Sequence, residues 1–158
     1  MKLRHELTYD AAPGAVLAML TDPAYWDKVA EATGALSSKA TVTTEGAGTR
    51  VVVDQEQAVQ GVPSFAKKFV GESTRAINSF LWQGTSAAYD VQTPGKPTSM
   101  SGTATVVPQG TGSTLTYDLD VKASVPLIGG KLEKLVVDLT TEGFVKEQAV
   151  GAAWLAGA

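Results

Sequence analysis

From Lys2 to Tyr9 the chain alternates strictly, with Leu3, His5, Leu7 and Tyr9 on one face and Lys2, Arg4, Glu6 and Thr8 on the other. A period of two belongs to a strand with one buried face, so a strand is predicted over 2–9. Pro13 then opens the apolar run Ala15–Leu20, which reads as a short helix with proline in its first turn. Thr21 or Asp22 caps a second short helix through Tyr25, Trp26, Val29 and Ala30, and Gly34 ends it. Strands are predicted over 36–45, 49–57, 73–83, 85–93, 98–108 and 112–124, divided by Gly- and Pro-containing turns. The cleanest alternation is in the last, with Leu115, Tyr117, Leu119, Val121 and Ala123 inward. Tight turns with no intervening helices require antiparallel pairing. Residues 62–71 read as a connection with room for one helical turn.

The period changes near Gly130. From there to Trp154, Leu132, Leu135, Val136, Leu139, Gly143, Val150 and Trp154 recur at helical spacing. At 1.5 Å per residue that helix is roughly 37 Å long, enough to cross a small sheet. The expected architecture is α+β: a seven-stranded antiparallel sheet with one buried face and the long helix as its cover.

Composition narrows the chemistry. The 158 residues carry 44% hydrophobic and 18% charged side chains, the balance of one globular domain spanning 1–158. Thirteen Lys+Arg against sixteen Asp+Glu give a net charge of -3, which argues against nucleic acid as a partner. With no cysteine and one histidine, thiolate chemistry is excluded and a histidine-paired metal site has no second ligand; no cofactor is implied. Gly46-Ala47-Gly48 lacks the Lys-Ser/Thr ending of a phosphate loop, and no G-x-S-x-G elbow occurs. No run of about 20 apolar residues exists to span a membrane. The opening MKLRHELTYD has no signal-peptide core, so a cytoplasmic location is expected.

The order β-α-α-β-β-β-β-β-β-α resembles the helix-grip fold of the START-like (SRPBCC) superfamily, which includes polyketide cyclases and plant allergen-type lipid carriers. The resemblance covers the whole chain. It rests on Asp22-Pro23-Ala24-Tyr25-Trp26, on Gly46-Ala47-Gly48-Thr49-Arg50-Val51, on Trp82, and on the Val125–Glu133 lead into the last helix. Together these look like a bacterial branch of unknown function. The resemblance implies a curved sheet with two short helices after strand 1, wrapped around the long C-terminal helix with a cavity between. It also implies an apolar or amphipathic small molecule as partner. Fold alone does not fix chemistry.

Inward faces supply the candidate ligand contacts. His5 is either a core histidine held by one hydrogen bond or a cavity-lining proton donor. Gln55 and Asn78 either reach solvent or orient a polar head within an apolar pocket. Leu7, Val53, Phe80, Tyr89, Met100, Tyr117, Leu119, Leu135 and Leu139 are the apolar and aromatic candidates. Glu142, with Lys146 one turn on, is either a helix-surface pair or a polar group at the cavity mouth. Asp54 and Glu56 share a face with Arg50 and read as solvated charge. Small inward residues (Ala40, Ala87, Gly102, Ala104, Ala123, Gly143) suggest unfilled volume under the helix, with access gated by 61–71 or the turns near 46 and 95.

Two rival readings follow from the same residues. One is a cyclase- or hydrolase-like enzyme with His5 as acid-base. The other is an interaction module with a filled core, whose off-stripe Val137, Phe144 and Leu155 make a seam with a partner or a second copy.

Overall fold

The computed structural model describes residues 1–157. The sheet contains β1 (Lys2–Tyr9), β2 (Ser37–Glu45), β3 (Gly48–Ala58), β4 (Ser73–Gln83), β5 (Ser86–Gln92), β6 (Thr98–Gln109) and β7 (Gly112–Ala123). Its order is β1-β7-β6-β5-β4-β3-β2, every pair antiparallel. The first two strands are thus the two edges. The helices between them, α1 (Pro13–Leu20) and α2 (Pro23–Ala32), carry the chain from one edge to the other.

Local sequence explains how that crossing is made. Asp22 accepts from the Ala24 amide at 2.9 Å, Pro23 occupies the first helical position, and the cap contributes about 1 kcal/mol. The Trp26 indole N–H donates to Leu20 O at 2.9 Å, tying the start of α2 to the end of α1. Trp26 is thereby buried over the sheet, stacked at 5.4 Å on Phe80.

The 62–71 connection contains a two-turn helix, α3 (Ser64–Val70), where one turn at most was expected. The local pattern is weak because the helix is held by packing. Ala66 and Val70 are buried against Leu132, beside half-buried Phe65 and Phe69, in a cluster separate from the main core. Gly71, at φ 70°, supplies the positive φ that turns the chain into β4.

The long helix α4 (Gly129–Leu155) crosses the concave face and packs on β1, β7, α1 and α2. Its buried stripe differs from the expected one. Phe144, Glu147 and Gly151 are buried, Val137 and Leu155 pack into the core, and Leu139 is exposed. The sheet curls round the helix, so its C-terminal half is covered over a wider arc than one apolar stripe describes. Val137, Phe144 and Leu155 therefore do not form an outward seam.

The outer face carries the charge. Arg75 forks onto Asp54 at 2.9 and 2.6 Å, and Arg50 onto Glu45 at 2.9 Å through both contacts. Glu56 accepts from Ser73 at 2.7 Å. Asp54 and Glu56 are thus part of an exterior ladder, as their spacing with Arg50 suggested.

Candidate functional site

Between the sheet and α4 lies a cavity of about 470 Å³, in the size range of small-molecule sites. Val53, Ala76, Asn78, Tyr89 and Met100 form its sheet wall, and Trp26 and Val29 of α2 close one side. Val70 of α3 and the preceding segment, with Val59 and Val62, close another. The roof is α4, from Leu135 to Glu147. Among the lining residues Gln60, Leu139, Glu142 and Lys146 are exposed, which places the mouth between the β3–α3 connection and the outer edge of α4.

Stacked rings build the deep end. Phe80 lies flat against Tyr89 (4.1 Å, 4°) and Tyr117 flat against Phe144 (4.2 Å, 3°), the two stacks meeting at 5.5 Å between Tyr89 and Tyr117. Offset or parallel pairs at such distances gain more than their buried area alone. Two polar pairs sit on this frame. The Tyr89 hydroxyl donates to Asn78 Oδ1 at 2.8 Å, and Asn78 Nδ2 donates to Val53 O at 3.3 Å. The Tyr117 hydroxyl donates to Glu147 Oε2 at 2.7 Å.

Glu147 is the group that sequence reasoning missed. It is only 5% exposed, on the cavity wall, and Oε2 has Tyr117 as its partner. The signal was present: Glu147 lies four residues after Gly143 and three before Val150, inside the apolar stripe. Burial pushes its carboxyl up to about 7 from an ordinary 4.5, partly offset by the Tyr117 hydrogen bond. Burial also raises the hydroxyls of Tyr9, Tyr25, Tyr89 and Tyr117, so all four stay neutral near pH 7.

This shift has a consequence for stability. Glu147 holds its proton more tightly folded than unfolded, so its contribution is fully present below the unfolded pKa of about 4.5 and is lost as pH rises through about 7. Relative to Glu147→Gln, the native protein is expected to lose on the order of 3 kcal/mol of unfolding free energy between about pH 4 and about pH 8. Urea denaturation of both proteins across that range measures it. A pH-independent difference would show that Glu147 does not titrate with the fold.

The structure gathers some of the expected contacts and separates others. Val53, Gln55, Asn78, Tyr89, Met100, Leu135, Leu139 and Glu142 line the cavity. Gln55 and Gln57 stand on its wall, with Gln57 Nε2 donating to Thr33 Oγ1 at 3.1 Å. Leu7, Phe80, Tyr117 and Leu119 do not line it; they are core residues one layer behind, Phe80 and Tyr117 acting as backing for Tyr89 and Phe144. His5 is also off the wall. Its ring is half-buried, stacked on Phe144 at 5.5 Å, and among the described residues it makes no side-chain hydrogen bond. Phe144 lines the cavity and His5 does not, so His5 has no direct contact with that space. Glu142 and Lys146 both line the mouth, and no ion pair joins them among the described residues.

Of the small inward residues, Gly143 alone is on the cavity wall. Ala87 and Ala104 are filled core. At Gly102 an added Cβ would collide with Asp118 O and lie 2.9 Å from Leu119 Cα. That glycine serves the close approach of β6 to β7, not an empty space.

A curved antiparallel sheet gripping a long C-terminal helix over a cavity is the helix-grip fold of START-like structures. The same fold is found in a START superfamily protein from Mycobacterium smegmatis (15% identity, TM-score 0.59, 98% of each chain). It is shared by the STAR-related lipid transfer protein of Xanthomonas axonopodis (17% identity, TM-score 0.60, covering 97% of this chain and 84% of that one). The di-domain ARO/CYC StfQ from the steffimycin biosynthetic pathway is similar at 12% identity and TM-score 0.69, over 99% of this chain and 52% of that one. More specifically, residues 4–155 match the family of proteins of unknown function DUF2505, and the chain belongs to that family. No curated protein matches it. Among the described residues, no helix is long and apolar enough to cross a membrane.

Proposed function

We propose that the protein, as one START-like domain over 1–158, binds an apolar or amphipathic small molecule in the cavity between the sheet and α4, as a carrier or a sensor. One observation carries this reading: between the core face of the sheet and α4 lies a space of about 470 Å³ walled by Val53, Ala76, Met100 and Leu135. Leaving such volume unfilled forfeits packing and transfer free energy. A ligand recovers it at about 25 cal/mol per Å² of apolar surface removed from water. The Asn78–Tyr89 and Tyr117–Glu147 pairs give the deep end the few oriented polar groups that fix a ligand's orientation. Access runs through the β3–α3 connection, because Val59, Gln60 and Val62 line the cavity while the turns near 46 and 95 do not.

Titration with Nile red, a neutral apolar dye, tests this. Saturable binding of about one dye per chain is expected, and His5→Ala should leave affinity within about twofold, since no change in contacts at the site means almost no change in binding free energy. Absence of saturable binding, or a dependence on His5, contradicts the reading.

A further inference from the structure

We propose that the molecule held in this cavity is a cationic amphiphile: an apolar body under α4, and a protonated amine or quaternary ammonium seated between the Glu147 carboxylate and the rings of Tyr89, Phe144 and Trp26. The inference rests on the binding reading above and adds the chemical class of the ligand.

The first support is the carboxylate itself. Glu147 is 5% exposed, and no ion pair among the described residues includes it. A carboxylate buried without a cation is costly, and a core position of this kind is ordinarily filled by an apolar residue. Tyr117 holds Oε2 at 2.7 Å and so fixes the carboxylate's direction, while Oε1 has no protein hydrogen bond among the described residues. That is a preorganised, half-satisfied acceptor on a cavity wall.

The second support is what surrounds it. Trp26, Tyr89 and Phe144 line the same cavity, and the faces of such rings attract ammonium groups. The charged lining is Glu142, Lys146 and Glu147. Glu142 and Lys146 are both exposed at the mouth, so the deep end holds negative charge alone. His5 does not line the cavity, and the nearby hydroxyls of Tyr9, Tyr25, Tyr89 and Tyr117 are neutral. An anionic head placed deep meets like charge, and a neutral head leaves the carboxylate without a counter-charge. A cation satisfies Oε1 and the ring faces together.

Decylamine, decanol and decanoate, which share one chain length, separate the classes when each displaces Nile red at about pH 8, where Glu147 is ionised. Decylamine is expected to bind at least about tenfold more tightly than decanol, a difference set by one charge-assisted contact and the ring faces. In Glu147→Gln the ratio of decylamine to decanol affinity should fall to within about twofold, because the amide keeps the shape and removes the charge. Decyltrimethylammonium against decanol on the native protein gives the same answer should the variant not fold. An amine no tighter than decanol, a decanoate tighter than either, or an equal loss for all ligands in Glu147→Gln overturns the cation assignment. If decanol binds without an amine preference, only this assignment fails; if none of the ligands nor the dye binds, the binding reading fails with it.

Discussion

Gly143→Leu is expected to weaken ligand binding while making the protein more stable. Gly143 lies on α4 facing the cavity, and an added Cβ there meets nothing within 4 Å. A leucine at this position projects into the space that the ligand needs. Forcing both into one volume costs about 1–3 kcal/mol, equivalent to a loss of roughly fivefold to 160-fold in affinity. Removing a glycine from a helix interior adds about 0.5–1 kcal/mol of stability. A melting temperature that rises while dye binding falls is a combination that a merely structural glycine does not produce. A fall in both would mean that the space around Gly143 is closed in solution.

Gly102→Ala is expected to be the most damaging small change in the sheet. Gly102 pairs with Tyr89 on one side and Leu119 on the other, at the centre of the curved sheet. A Cβ there collides with Asp118 O and comes within 2.9 Å of Leu119 Cα, all backbone atoms that no rotamer change can move. The β6–β7 ladder must open, and Tyr89, on the neighbouring strand, loses its fixed position on the cavity wall. The expected cost is about 3 kcal/mol or more, a drop of roughly 6–12 °C in melting temperature for a domain this size. A thermal melt within about 2 °C of the native protein would show that the strands tolerate separation there.

Much of this is legible in the sequence. Period-two alternation in Leu3–Tyr9 and Leu115–Ala123 marked two strands that turn out to be neighbours, His5 paired with Tyr117. The period change near Gly130 marked α4, and Asp22-Pro23 marked the start of α2. What the chain hid was depth. Alternation assigns a residue to a face but not to a layer on that face, so Phe80 and Tyr117 looked like cavity contacts although they back the residues that are. Helical periodicity assumes a flat partner. A sheet that curls round the helix buries Phe144 off the apparent stripe, while Glu147 lies within that stripe by spacing. Small side chains were ambiguous in the same way: Gly143 leaves a space, whereas Gly102 admits a neighbouring backbone. α3 was short in its local signal because Ala66 and Val70 are held by Leu132, far along the chain.

Occupancy of the cavity is tested most directly by titrating Nile red in parallel into the native protein and Gly143→Leu, with fold monitored by circular dichroism. One dye per chain for the native protein, and at least about fivefold weaker binding to a fully folded Gly143→Leu, is the predicted result. Equal binding to both would place the dye elsewhere on the molecule and contradict a ligand site beneath α4.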